Sequence, residues 1–109
     1  MNIFSTQLGL ALPVTAGTWY TIYTCPSGKL AIVKDIRGWN ATGGDPRFFL
    51  ALTIGGTRRQ IALTRPAAQP DSAVTGAFIV MNAGDVLECK PVASDAASVV
   101  LASGYELTL

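Results

Sequence analysis

The sequence predicts an all-β domain, a two-sheet antiparallel β-sandwich of jelly-roll or immunoglobulin-like type with about eight strands. Three observations predict it. Short segments carry apolar residues at period two, the spacing that lines one face of a strand. Turn signals rich in Gly, Pro, Asn and Asp cut those segments at short intervals. No amphipathic helix longer than two turns can be drawn, and many short strands with short connections favour a sandwich over a closed barrel.

The elements follow in order. Gln7 to Val14 is a loosely patterned first strand, placed on an edge because Pro13 cannot donate to a ladder. Thr18 to Cys25, "TWYTIYTC", is rich in aromatic and β-branched residues that suit a pleated surface. "PSGK" turns the chain, Pro26 presetting a backbone angle and Gly28 free to take a positive one. Leu30 to Ala41 alternates without sorting its two faces cleanly, which predicts either a strand covered on both sides or a bulge near Lys34 and Asp35.

After the loop "TGGDP" at 42–46, Arg47 to Ile54 and Thr57 to Arg65 form a hairpin about Gly55 and Gly56. Within the second of these strands Arg58, Gln60 and Ala62 are expected to face opposite to Arg59, Ile61 and Leu63. Pro66 to Ala73 reads as a surface loop and Val74 to Met81 as a strand. The turn "NAGD", with Gly84 and Asp85, leads into Val86 to Val92. There Leu87 and Cys89 alternate with Glu88 and Lys90, the cleanest inside-outside signal in the chain. "ASDAAS" then turns the chain into Ser98 to Leu109, where Val99, Leu101, Ser103, Tyr105 and Leu107 share a face.

Composition bounds the function. A chain of 109 residues suits a single domain, 1–109, and half of its residues are apolar, so it can bury a core without staples. Eight Lys and Arg against seven Asp and Glu leave a net charge of +1, which provides no footprint for nucleic acid or an anionic membrane. No apolar run approaches the length of a transmembrane helix, and the N-terminal patch lacks the leading basic residues of a signal peptide. With no histidine, and with Cys25 and Cys89 far apart in sequence, zinc is excluded and no cofactor is expected. A Cys25–Cys89 disulfide requires neighbouring strands; two buried thiols behaving as small hydrophobes is the preferred reading.

Catalytic chemistry finds little to work with. The commonest general base is missing, and Asp45, Asp71, Asp85 and Asp95 fall in turns, where Asp bonds its own backbone. "PSGK" lacks the GxxxxGK spacing and following helix of a phosphate loop, since Lys29 leads into a strand. Cys25 has neither a histidine nor a helix N-terminus to activate it. The chain is therefore expected not to be an enzyme. The interface candidates are Trp39 and Arg47 of the aromatic-rich set, together with Arg58, Arg59 and Arg65. Ile3, Phe4, Leu8 and Leu10 join them on the apolar segment 1–13, which is expected to lie as an arm across a neighbouring subunit.

The pairing of "YTCPSGKLAIVKDIRGWN" with "VMNAGDVLECKPVAS" and "VVLASGYEL" resembles a family of small virion structural proteins of tailed bacteriophages. Its members carry a tyrosine-threonine strand, a Pro-x-Gly turn, a strand of valines and isoleucines ending in Asn, an "AGD" turn and a last strand closing on Gly-x-Glu. The match covers Thr18 to Asn40 and Ala77 to Leu107, and Cys25 stands where an aliphatic residue is usual. The resemblance implies a non-enzymatic β-sandwich that works by assembly, as a minor tail or tail-tip protein or alternatively as a capsid decoration protein. It further implies a virion location after assembly in the bacterial host cytoplasm. The expected partners are itself, as a homo-oligomer such as a trimer, and other virion proteins. A carbohydrate-binding module that recognises a host-surface glycan through exposed aromatics is the other reading.

Overall fold

Alternating β-branched, aromatic and aliphatic residues draw the chain into ten strands among the described residues, with no helix among them. The computed structural model describes the backbone of residues 3–11, 17–40, 47–63, 65–66, 72–75, 79–92 and 98–109, and the side chains of 17–38, 47–61, 79–92 and 100–109. The strands are β1 (Ile3–Ala11), β2 (Tyr20–Thr24), β3 (Lys29–Asn40), β4 (Phe48–Ile54), β5 (Thr57–Leu63), β6 (Arg65–Pro66), β7 (Ser72–Thr75), β8 (Ile79–Met81), β9 (Val86–Pro91) and β10 (Ser98–Thr108).

All pairings are antiparallel. A six-stranded sheet runs β1-β10-β3-β7-β6, with β8 also paired to β3, and a four-stranded sheet runs β2-β9-β4-β5. Both supply one core. Ile22, Tyr23, Cys25, Phe48, Leu50, Leu87 and Cys89 come from the four-stranded sheet and its edge turn; Ala31, Val33, Ile36, Met81, Val100 and Ala102 come from the six-stranded one. Two antiparallel sheets burying their inner faces against each other is the layout of a β-sandwich.

The unsorted alternation of "LAIVKDIRG" has a physical cause in the ladder. Ser103 lies opposite Asp35 and Gly104 opposite Val33, so Lys34 is the extra residue of a β-bulge. Before it Ala31 and Val33 are fully buried; after it Ile36 is, and Gly38 is buried too. The bulge thus switches the inward face from odd to even positions, the second of the two arrangements that the unsorted pattern allows. Gly104 is required at this kink, because a Cβ there would stand 2.0 Å from the Ile32 carbonyl oxygen.

Several boundaries differ from expectation. The first strand starts four residues early, at Ile3, and ends at Ala11, before Pro13 removes a donor. It is an edge strand, as expected, but it hydrogen-bonds along β10 of its own chain, from Ile3 opposite Leu107 to Ala11 opposite Val100. The arm expected to cross a neighbouring subunit is therefore, over these residues, part of the molecule's own sheet. Residues 66–73, read as a loop, have paired ends, Pro66 standing opposite Ala73. The strand expected at 74–81 is two strands, β7 and β8, both on β3 and offset by one residue in register. A second bulge makes Ile61 the extra residue of β5, which brings Ala62 rather than Ile61 level with the inward Leu50. The strict alternation predicted from Arg58 to Leu63 does not survive it. The loop at 42–46 and the turn at 93–97 lie outside the described residues.

Candidate functional site

The corner "CPSGK" is a junction between sheets. Lys29 N–H donates to the Pro26 carbonyl at 3.3 Å and Gly28 has φ of 75°, so Pro26 is the first residue of the turn instead of presetting its second. Across the sandwich edge the "NAGD" turn mirrors it: Asp85 N–H donates to the Asn82 carbonyl at 3.0 Å and Gly84 has φ of 89°. The Asp85 carboxylate accepts from Asn82 N–H at 2.9 Å, the turn role expected of it. The two turns are bonded together, Cys25 N–H to the Asp85 carbonyl at 3.0 Å and Gly84 N–H to the Cys25 carbonyl at 2.9 Å.

The Lys29 ammonium meets Glu106 at 3.1 Å, and the other oxygen of that carboxylate accepts from the Tyr23 hydroxyl at 3.1 Å. Burial first, and then Glu106, push the Tyr23 phenol well above its usual range. The Cys25 thiol is 1 % exposed and points among the carbonyls of Lys29 and Met81. Burial raises its pKa, the reverse of what a nucleophile needs. Cys89, with no exposure, is pushed up to about 12 by burial. Both are free thiols. Thr24 pairs with Val86, so Cys25 lies level with Asp85, four residues along β9 from Cys89. At about 3.3 Å per residue that is roughly 13 Å, beyond the reach of a disulfide.

The outer face of the four-stranded sheet carries a cation and aromatic cluster. Arg58 grips Glu88 with both arms of its fork, Nε to Oε1 at 3.1 Å and Nη2 to Oε2 at 2.9 Å, and the Thr53 hydroxyl donates to the same carboxylate. These bonds, that from Arg58 foremost, hold the Glu88 carboxyl below its ordinary range against the opposing pull of burial. The Arg58 guanidinium also lies 5.0 Å from the centre of the Trp19 ring, while the Lys90 ammonium lies 4.9 Å from Trp19 and 5.0 Å from Phe49. Register explains the grouping: Phe49 stands opposite Lys90, Ala51 and Thr21 opposite Glu88, and Thr53 opposite Arg58.

The outer face of the six-stranded sheet is different in kind. Because Ala31, Val33, Val100, Ala102 and Met81 face the core, pleating turns Leu30, Ile32, Leu101, Tyr105, Leu107 and Val80 outward. Val80, Ile32 and Tyr105 form one row across three strands, and Leu30 and Leu107 the next. Val80 is 49 % exposed. Lys34, displaced by the bulge, lies 5.2 Å from the centre of the Tyr105 ring, and Arg37 pairs with Asp35 at 2.7 Å.

The interface candidates separate accordingly. Arg58 is tied within its own chain, Arg59 is exposed, and Arg47 is partly buried at the start of β4, its carbonyl accepting from Val92 N–H at 3.1 Å. Ile3, Phe4, Leu8 and Leu10 lie along β1, Trp39 near the end of β3 and Arg65 in β6; their side chains lie outside the described residues. Trp19 belongs to the aromatic-rich set that the sequence offers; the part of Lys90 and Val80 went unforeseen. The stripe Leu101, Ser103, Tyr105, Leu107 was visible, but only the smallness of Ala102 and Gly104 between its members hinted that it faces outward. Among the described residues each carboxylate with a placed side chain is engaged: Asp35, Asp85, Glu88 and Glu106. No group of three or more metal-ligating side chains and no pocket occurs among those residues. Comparison of the chain with protein-family models and with curated proteins gives no match.

Proposed function

We propose that this chain is a non-enzymatic structural component of a tailed-phage virion, acting by self-assembly and protein–protein contacts as a minor tail or tail-tip protein. The observation that carries the reading is the aliphatic outer face of the six-stranded sheet. An antiparallel sheet with one solvated side normally alternates apolar inside and polar outside, and here Leu30, Ile32, Val80, Leu101 and Leu107 break that rule.

The strand order supports a jelly roll as the scaffold. Taking β7 and β8, both paired to β3, as one sixth strand and setting aside the two-residue β6 on the edge, the chain becomes eight strands ordered 1-8-3-6 and 2-7-4-5, which is the double Greek key of a jelly roll. In an immunoglobulin-like sandwich the first two strands share a sheet, whereas here they fall in different ones. Jelly rolls serve capsid and lectin domains alike, so the fold itself does not choose the function.

The test is particle incorporation. A tagged copy expressed in the bacterial host during infection is expected to co-purify with virions and to label the tail; label on the head would favour the capsid decoration reading. A chain left wholly in the soluble fraction overturns both. The carbohydrate-binding reading now centres on Trp19 and Phe49 instead of Trp39, yet each of those rings already has a cation over it. Glycan-array binding lost on Trp19→Ala would revive it.

A further inference from the structure

Surface that a folded chain leaves aliphatic needs an explanation when it is contiguous, and among the described residues two places come into question. One is the β4–β5 hairpin, where Ile54 and Ile61 are about half exposed, but they stand at the tip and at the bulge, separated by arginines. The other is the outer face of the six-stranded sheet, where aliphatic residues line up in rows across β8, β3 and β10.

We propose that this face is where a second copy of the chain docks, sheet against sheet about a two-fold axis. The inference rests on the self-assembly reading above and adds to it the surface and the symmetry. Area is the first argument. The 9, 11 and 12 residues of β1, β10 and β3, with the 3 of β8 and the 4 of β7 beside them, cover roughly 600 Å² at about 3.3 Å per residue and about 4.8 Å per strand. The face thus reaches the lower limit, about 600 Å² per partner, of a stable specific interface.

Charge is the second. The polar band between the aliphatic rows and Leu101 contains Lys34 and Asp35, and Arg37, level with Leu101, already neutralises Asp35 at 2.7 Å. A strongly charged partner gains little from such a band. A second copy turned about a two-fold axis through it sets each Lys34 against the other copy's Asp35, and it lays Leu30, Ile32 and Val80 of one copy towards the Leu101 end of the other. Symmetry is the third. A single self-complementary patch makes an isologous contact, whereas a three-fold ring needs two different patches on each chain.

Sedimentation equilibrium on the full-length chain tests the proposal. The wild type is expected at twice the monomer mass. Val80→Glu, which changes an exposed position and leaves the core alone, should weaken the dimer by at least about tenfold. Thr24→Glu, exposed on the opposite sheet, should leave association unchanged, and circular dichroism melts check that each variant folds. A monomeric wild type, a trimer, or a dimer that survives Val80→Glu combined with Leu101→Glu overturns the proposal, as does a dimer dissolved by Ile54→Glu instead. The two readings fail separately. A monomer that still enters virions removes only the dimer, and a dimer that never enters them removes only the virion role.

Discussion

Arg58 and Glu88 are joined by two hydrogen bonds, 3.1 and 2.9 Å long, that reach across β4 on a sheet face where Glu88 is almost buried and Arg58 nearly half exposed. The pair is not symmetric in its energetics. Taking away the arginine leaves a desolvated carboxylate with Thr53 as its sole remaining donor among these partners, and that residual burial is the larger cost.

Arg58→Ala should therefore destabilise the fold at neutral pH, seen as a lower urea midpoint. The sign with pH follows from the carboxyl being held below its ordinary value in the folded state. Its contribution is fully present above the unfolded carboxyl's pKa and is lost as pH falls through the folded value. The gap between wild type and variant should accordingly narrow below about pH 4. A gap that stays constant from pH 7 to acid would show that the lost stability comes from the stem of Arg58 packing on Trp19, not from the ion pair.

Gly104 and Ile32 set the second prediction. With the Ile32 carbonyl oxygen 2.0 Å from where a Cβ would sit, Gly104→Ala must push β10 and β3 apart at the bulge, and these are the two central strands of the larger sheet. The expected loss is about 3 kcal/mol or more, and the variant should accumulate insoluble or show a much lower denaturant midpoint. A soluble variant with unchanged stability would mean that Lys34 is not bulged.

How much of this was legible in the sequence depends on the range of the interaction concerned. The bulge at Lys34 could be read because the faces of "LAIVKDIRG" fail to sort on either side of it, a local signal. Leu87 and Cys89 could be placed inside for the same reason. Glu88 is also nearly buried, which its neighbours in sequence cannot show, since the donors that permit it come from β4 and β5, 35 and 30 residues away. The outward set of Leu101 to Leu107 likewise depends on which sheet covers β10. Pattern gives a stripe its period, and only topology gives it a side.

The two-residue loop of the β4–β5 hairpin offers a contrasting, stabilising change. Gly55 and Gly56 have φ of 59° and 82°, both positive, which is the signature of a type I′ turn with open space around each Cα. Gly55→Asn should be neutral or stabilise by up to about 1 kcal/mol, because Asn tolerates that conformation and restricts the unfolded chain more than Gly does. Gly56→Val should cost more than about 1 kcal/mol. Thermal melts should show a loss for Gly56→Val and none for Gly55→Asn; equal losses would argue against the I′ geometry.

The thiols give the last test. Cys25 and Cys89 are both buried, both have pKa values raised by burial, and the register of β2 on β9 keeps them roughly 13 Å apart. At pH 8 the native protein should therefore react with an aromatic disulfide reagent only as fast as it opens, since the attacking species is the thiolate. In denaturant without reductant, two equivalents should react at once. A native chain with one fast thiol would place Cys25 at the surface of the corner and detach it from the Lys29 and Met81 carbonyls. No reactive thiol after unfolding would require the two cysteines to be bonded, which this strand pairing forbids within one chain.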